Sequence, residues 1–477
     1  MSWRLGWSLN ASSLVLDEMN IPRDARWQLW ICAAAFFMET LDATIVNTAL
    51  PAMALSLGVH PLRMHVVVLA YVLTVAVMLP ASGWIADRLG IRHTLLLAIT
   101  LFSAGSLAAA MSTHLPMLIA ARVLQGLGGA MMVPVGRLAV LKAVPRSQFM
   151  AAMSLVTMPG LVGPLLGPPL GGILVEYATW HWIFLINLPV AFLGILAVRR
   201  WMPNYQMPPR SFDRVGFILL APAMALLTLA LEGAGHSGGR QTTAVFLLLA
   251  ALLLATGYGW HARRSSSPLF SLKLFACRTF AFGIAGNLLA RIGSGALPFL
   301  TPLFLQVGLG FSPLLAGLSM VPIVLGSMGM KTLVVRVVTR FGYRRVLVVS
   351  TVLLAANTWA FAWAGLHGWH GFLIPQLLLL GMINSIRFSA MNVLTLKDLG
   401  DDQASSGNSL LSMVMQLAMS LGVSLVGMLL SGFDALDPHT PEVAAAFMHT
   451  YLWLSLVMLA PVLLFVCLPG GRGRSEL

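Results

Sequence analysis

The sequence predicts an all-α membrane protein of fourteen transmembrane helices in a six, two, six arrangement, and three observations carry that prediction. The first is composition: of 477 residues, 58% are hydrophobic and only 9% charged, with a mean hydropathy of +0.86. A soluble domain carries roughly 25% charged residues. The second is the recurrence of apolar stretches close to the ~20 residues a helix needs to cross hydrocarbon, where backbone polar groups must be satisfied within the segment. The third is the placement of positive charge. Fourteen spans put 22 of the 29 Lys and Arg in tails and loops on one side and leave only Arg63 and Arg240 on the other. Basic residues gather on the cytoplasmic side of membrane proteins, and removing one span would scramble the alternation. The excess of +13 therefore reports orientation in a lipid bilayer. A nucleic-acid partner would need basic residues clustered on one soluble face, and none is expected.

In chain order the spans fall at 28–50, 63–83, 93–112, 115–140, 149–175, 180–201, 213–232, 242–261, 279–304, 312–335, 344–366, 369–393, 405–431 and 445–468. An even number places both termini on the cytoplasmic side. The segment before Trp27 carries Asp17, Glu18, Arg23 and Asp24 and lacks the basic start, apolar centre and cleavage site of a secretory signal, so 1–27 is expected to stay attached as a cytoplasmic tail. Polar connectors at 199–214 and 261–278 set off the seventh and eighth spans. The units are then a six-helix bundle at 28–203, an inserted helix pair at 204–270, a second six-helix bundle at 271–469 and a cytoplasmic tail at 470–477. An internal echo relates the two bundles. "DRLGIRH" (87–93) and "TRFGYRR" (339–345) align at an offset of 252, matching Arg88 to Arg340, Gly90 to Gly342 and Arg92 to Arg344 between the second and third helices of each six. Internal repeats in a helical membrane protein point to a transporter with its site between the halves.

The first span contains "ETLDATIVNTALP" (39–51), which sets Glu39 and Asp42 roughly 11 and 14 residues deep on one helical face. Each ionised carboxylate at that depth costs at least ~2.5–3.5 kcal/mol unless it faces a partner or a cavity. Burial and a like-charged neighbour both favour the protonated form of a carboxyl group, so such a pair is suited to carry protons; a structural tie to an intramembrane arginine is the other reading, and the two are compatible. "GWIADRLGIRHTLL" (83–96) closes the second span and opens the third, with Asp87 able to sit beside a helix end while Arg88 and Arg92 face the cytoplasm. In "LIAARVLQGLGGAMMVP" (118–134) Arg122 lies inside a span, with Glu39 or Asp42 as candidate partners, and Gly126, Gly129 and Ala130 permit close helix approach. "PGLVGPLLGPPLGGIL" (159–174) keeps Gly163, Gly167 and Gly171 on one face, between Pro159, Pro164, Pro168 and Pro169. Such a strip suits either two bundles that rock against each other or a static seam.

These motifs, followed by "WHWIFLINLP" (180–189), resemble in order the motif set of the major facilitator superfamily, and more narrowly its fourteen-span drug:proton antiporters, over the chain from Trp27 onward. The resemblance implies alternating access between two pseudo-symmetric bundles and proton-driven export across a bacterial cytoplasmic (inner) membrane. It implies Asp42 as the first-helix acid and Arg122 near the proton path, beside which the residues themselves set Glu39 as the second proton carrier. It implies a gating loop of Gly83, Asp87, Arg88, Gly90 and Arg92, and an antiporter motif of Gly160, Gly163, Pro164, Gly167, Gly171 and Gly172. The second gating-loop copy has Thr339 where the first has Asp87, which makes any charge lock there one-sided.

Five basic residues fall within the spans: Arg122, Arg137, Arg291, Lys331 and Arg387. Arg137 and Lys331 are near cytoplasmic ends and can snorkel. Arg291 and Arg387 are deeper, and the second bundle offers them no mid-span acid; with Asn47 they are candidates for the substrate cavity. Unpaired positive charge there would attract an anion, which sets organic acids such as citrate, or metal–citrate chelates, beside drugs as candidate cargo. Pairing with backbone carbonyls or with Glu39 is the plainer alternative. Enzyme readings find no support: there is no HExxH, no nucleophile with its base, and His60 and His65 lie in an outside loop with no partner pattern. Cys32, Cys277 and Cys467 suggest neither a disulfide framework nor a zinc site. The expected energy source is the proton gradient, with no cofactor and no obligate protein partner; small-molecule substrate, protons and lipid are the partners.

Overall fold

The computed structural model describes residues 23–145, 148–206, 211–234, 239–331, 333–433 and 441–468. Most of the expected N-terminal tail and all of the expected C-terminal tail, at 470–477, lie outside the described residues. Fourteen helices long and apolar enough to cross a membrane occur among them. They are α1 (Ala25–Ser56), α2 (Pro61–Leu89), α3 (Ile91–Ala110), α4 (Leu115–Ala143), α5 (Ala151–Tyr177), α6 (Trp182–Trp201), α7 (Arg214–Ala234), α8 (Gln241–Arg264), α9 (Arg278–Gly308), α10 (Pro313–Lys331), α11 (Tyr343–Leu366), α12 (His370–Leu396), α13 (Ser406–Gly432) and α14 (Ala445–Val466). The protein is therefore a multi-pass membrane protein. Odd-numbered helices run from what we term the near face, where α1 begins, to the far face.

One expected limit shifts. The tenth span stops at Lys331, and Val334–Phe341 forms a separate helix packed on α11 and α12. Its two ends carry Arg336 and Arg340 among valines, an amphipathic pattern suited to lying along a surface rather than crossing one. The four prolines of α5 leave it one continuous helix from Phe149 to Tyr177. Its glycines bring the α5 backbone directly onto α1.

The pairings repeat. Within the first six helices α1 packs on α4, α5 and α6, α2 on α4, and α3 on α4 and α6; adding eight to each number gives the main pairings of α9 to α14. The echo seen in sequence has the same geometry, since Gly90 and Gly342 both turn the chain at positive φ, +83° and +77°. A side chain would be strained there, and Gly90 also sits where a Cβ would meet Asn204. Contacts between the two sixes follow the same symmetry: α2 meets α13, α5 meets α10, and α1 meets α9.

α7 and α8 pack mainly on each other, and α7 lies against both α13 and α2. The outward side of α8 exposes apolar residues such as Phe246 and Leu253, a surface suited to lipid. At the near face Asp213 fastens this pair. Its carboxylate accepts the Gly216 N–H at 2.8 Å, capping α7, then the Leu269 N–H at 2.9 Å, and lies 2.7 Å from His261 Nε2 of α8. Burial works against the charge, but these hydrogen bonds and the imidazole outweigh it and hold the carboxyl below its ordinary 3.8.

Candidate functional site

Asp42, midway along α1, is fully buried and sits at the centre of a polar cluster drawn from four helices. Arg122 Nη1 of α4 donates to Asp42 Oδ2 at 2.7 Å. Gln125 Nε2 and Asn187 Nδ2 both donate to Asp42 Oδ1, at 2.7 and 2.9 Å. Arg122 also donates to Gln125 Oε1 at 2.5 Å, and Gln125 Nε2 reaches Ser106 Oγ at 2.9 Å. Every neighbour of the carboxylate donates, so the group acts only as an acceptor, the role an ionised carboxylate fills. The guanidinium lies 4.3 Å above the Tyr71 ring and 5.9 Å from that of Phe184. An ion pair of this kind, out of water, with its carboxylate held by three donors, tolerates the loss of neither partner.

Helical spacing builds the cluster. Arg122 and Gln125 are three apart and share one face of α4, while glycines let that helix approach its neighbours: a Cβ at Gly129 would meet the Tyr71 hydroxyl and one at Gly128 the α3 backbone. Glu39, three residues before Asp42 on α1, is half-buried and makes no hydrogen bond or ion pair among the described residues. Of the two acids offered as partners for Arg122, the structure pairs Asp42. The charges acting on Glu39 are those of Asp42 and Arg137. Tyr71 stands close enough to feel both carboxyl groups, and its hydroxyl is buried without a partner among the described residues.

Gln125, Asn187, Ser106 and Tyr71 had no place in the sequence reading. The signal was present, since Gln125 and Asn187 are uncharged polar residues inside apolar runs, but only charged groups there carry a large enough cost to attract notice.

The gating-loop residues fall at the near end of α2 and the start of α3. Arg88 is exposed beside Trp84, its guanidinium 5.6 Å from the ring, and Asp87 is half-buried. Arg92, at the same near face, donates through Nη2 to the Arg199 carbonyl of α6 at 2.8 Å, so it ties α3 to α6. A Cβ at Gly83 would meet open space.

The glycine strip of α5 settles mainly inside the first bundle. Gly160 faces Phe36, Gly163 faces Thr40 and Leu41, Gly167 faces Thr44, and Gly171 faces Ile45, all on α1. Of the two readings open for this strip, the seam within one bundle describes these four. Gly172 is different: a Cβ there would lie 2.5 Å from the Pro313 carbonyl of α10, in the other bundle, and Gly317 of α10 lies correspondingly on Pro168. Pro164 lies within the same helix without breaking it. At this far face Glu176 Oε2 also accepts the Leu314 N–H at 3.0 Å, and Gln306 Nε2 of α9 donates to the Thr48 carbonyl of α1 at 2.9 Å. The two bundles are pinned together there.

Arg387 is fully buried and reaches α9 from α12, donating to Ser294 Oγ at 2.7 Å and to the Ala290 carbonyl at 3.3 Å, with Asn384 Oδ1 also at 3.3 Å. Arg291 is half-buried 3.9 Å from the Phe388 ring, which Arg387 approaches at 5.0 Å. No acid pairs with either among the described residues, and Glu39 is not their partner. Asn47 stands apart, donating to the Ala43 carbonyl of its own helix at 3.3 Å, with its Oδ1 buried and unpartnered among the described residues. The two bundles thus share a device with opposite chemistry: an arginine of the fourth helix reaches the first helix, onto a carboxylate in one half and onto a hydroxyl and a carbonyl in the other.

Comparison with known proteins follows the same lines. Residues 32–423 match the family model described as Major Facilitator Superfamily. A protein of Cronobacter sakazakii named "Putative multidrug resistance protein MdtD" is 59% identical over 459 residues, 96% of this chain and 97% of its own. A Klebsiella pneumoniae protein of the same name is 59% identical over 461 residues, with the same two coverages of 96% and 97%. Among solved structures, a POT family transporter in complex with a thioalcohol-conjugated peptide superposes with a TM-score of 0.69 at 14% identity, covering 91% of this chain and 94% of that one.

Proposed function

The chain belongs to the Major Facilitator Superfamily, and on that premise we propose that it is a proton-coupled exporter of drugs or other small organic compounds, working by alternating access across the bacterial cytoplasmic membrane. The orientation that concentrates Lys and Arg on the near face makes that face cytoplasmic, with both termini there. The chain then acts as a transporter and not an enzyme, drawing on the proton gradient with no cofactor and no obligate protein partner. The name shared by the bacterial relatives supports drugs as cargo.

The observation that carries the reading is the Asp42 cluster. Its carboxylate holds Arg122, Gln125 and Asn187 and thereby joins α1, α4 and α6. A proton on Asp42 removes the charge that Arg122 answers and leaves the guanidinium with Gln125 and the Tyr71 face, so protonation loosens one side of the first bundle. Glu39 lies about 4.5 Å nearer the near face along the helix, without a partner among the described residues, and suits the transfer of protons between Asp42 and the cytoplasm. Moving one charge through 100 mV supplies ~2.3 kcal/mol, which sustains roughly a fifty-fold gradient of a neutral solute per proton.

A second reading, export of organic anions such as citrate or its metal chelates, is favoured by one observation: Arg291 and Arg387 stand together without an acid. One experiment tests both readings. Proteoliposomes with an imposed pH gradient are screened with ethidium, other cationic drugs, neutral dyes and tricarboxylates. Proton-dependent movement of cationic or neutral compounds supports the first reading, movement of tricarboxylates alone supports the second, and transport indifferent to the gradient contradicts both.

A further inference from the structure

We infer that His65 and Glu232 form a second proton-binding site, a latch that holds one proton at the far face and clamps the inserted helix pair onto the seam between the two bundles. His65, which the sequence placed in a loop without a partner, is buried near the start of α2, just after its opening turn Pro61–Met64. Its Nδ1 lies 2.8 Å from the Leu62 carbonyl and its Nε2 lies 2.6 Å from Glu232 Oε1 of α7. Phe299 of α9 meets the ring edge-on at 6.4 Å between centroids. Gly427 of α13 lies so close that a Cβ there would be 2.5 Å from Nε2. One imidazole thus touches α2, α7, α9 and α13, which belong to both bundles and to the inserted pair.

Proton counting follows from the partners. A carbonyl oxygen only accepts, so Nδ1 carries a hydrogen and donates to Leu62. In the neutral ring Nε2 is then bare, and a bare nitrogen facing a bare carboxylate oxygen at 2.6 Å is repulsive. The contact therefore holds one proton, either as imidazolium with carboxylate or as neutral imidazole with carboxylic acid, and both arrangements are neutral as a pair. Glu232 Oε2 is buried with no donor among the described residues, so this proton is what compensates the carboxyl group. Among the described residues no other titratable group touches the ring: α13 presents Gly427, α9 presents Phe299, and the opening turn of α2 presents the Leu62 carbonyl. Of the remaining titratable groups on that turn, Arg63 is exposed and His60 Nδ1 accepts the Leu62 N–H at 3.4 Å. Removing the proton releases α7 from α2, and with it the brace across the α2–α13 seam.

Placing the latch on the outside rests on the orientation proposed above, but its chemistry does not, and the test reads a distance without substrate. In the full chain, with Cys32, Cys277 and Cys467 changed to Ser, spin labels are attached at Leu55→Cys and Gly432→Cys, both exposed at the far face. The label-to-label distance is measured in lipid nanodiscs from pH 5 to pH 10, after each variant is shown to elute as a single folded species. A short distance at the acid end is expected to give way to a longer population, several-fold enriched, at the alkaline end. Glu232→Gln, whose amide N–H donates to the bare Nε2 in place of the shared proton, is expected to stay short throughout. His65→Phe, which keeps the ring packing and loses the proton, is expected to show the long population at every pH. A distance insensitive to pH, a Glu232→Gln variant that keeps the full pH response, or a His65→Phe variant that stays short would each overturn the inference. Failure of proton-driven transport in the Proposed function assays with this pH response intact would sink the export reading alone.

Discussion

At the scale of the residue, the controlling fact is that the fully buried charges of Asp42, Arg122 and Arg387 are held by other charge or by directed hydrogen bonds. Arg122→Ala would strand Asp42 with two amide donors in place of its cation; a loss of about 3–5 kcal/mol of stability is expected, read by thermal or denaturant unfolding in detergent. Arg122→Lys would keep the charge but lose the planar group that reaches Asp42, Gln125 and the Tyr71 face together, and is expected to restore only part of that loss. Asp213 gives a prediction in pH. Its carboxyl lies below its ordinary 3.8 in the folded chain, so its contribution is fully present above that value and is lost as pH falls below about 4. The unsubstituted chain should stay more stable than Asp213→Asn from pH 5 to 8, and the difference should close on acidification below about 4; a difference that grew below pH 4 would contradict the assignment. Asp42, Glu39 and Arg122 were legible because buried charge is expensive enough to stand out in an apolar run. Gln125, Asn187 and the His65–Glu232 contact were not, because a polar amide costs little to notice and two side chains 167 positions apart carry no local signal.

At the scale of the element, small residues decide how closely helices approach. Gly163 and Gly167 place the α5 backbone on Thr40 and Thr44 of α1, the helix that carries both acids. Gly167→Val would force α5 away from α1 and is expected to cost about 1–3 kcal/mol, while the same change at Gly83, which faces open space, should leave stability within ~0.5 kcal/mol. Equal losses at the two sites, measured by unfolding, would remove the argument. The periodicity of the strip was readable from sequence, but which neighbour it faces was not, because every helix of a bundle offers an apolar flank. The same limit explains the tenth span: apolar residues continue past Lys331, and only the arginines at 336 and 340 mark a helix that no longer crosses.

At the scale of the whole molecule, two six-helix bundles repeat one set of pairings, meet along α2–α13, α5–α10 and α1–α9, and are pinned at the far face. Span number and repeat were legible because hydrophobic length and basic-loop alternation are global constraints with few solutions. The docking of α7 against the seam was not, since it depends on side-chain contacts such as Glu232 with His65. In this asymmetry, with carboxylates in the first bundle and, among the described residues, arginines without an acid in the second, Arg387→Gln is expected to reduce transport of tricarboxylates at least ten-fold more than that of cationic drugs if anions are carried; equal reductions would end the anion reading. The most direct test of the central claim uses the Asp42→Asn chain in proteoliposomes, with a compound first shown to be transported. Substrate exchange at equal pH should persist while accumulation driven by a pH gradient is lost and substrate no longer elicits proton movement, followed by an internal pH dye. Retained gradient-driven accumulation in that variant would contradict the account.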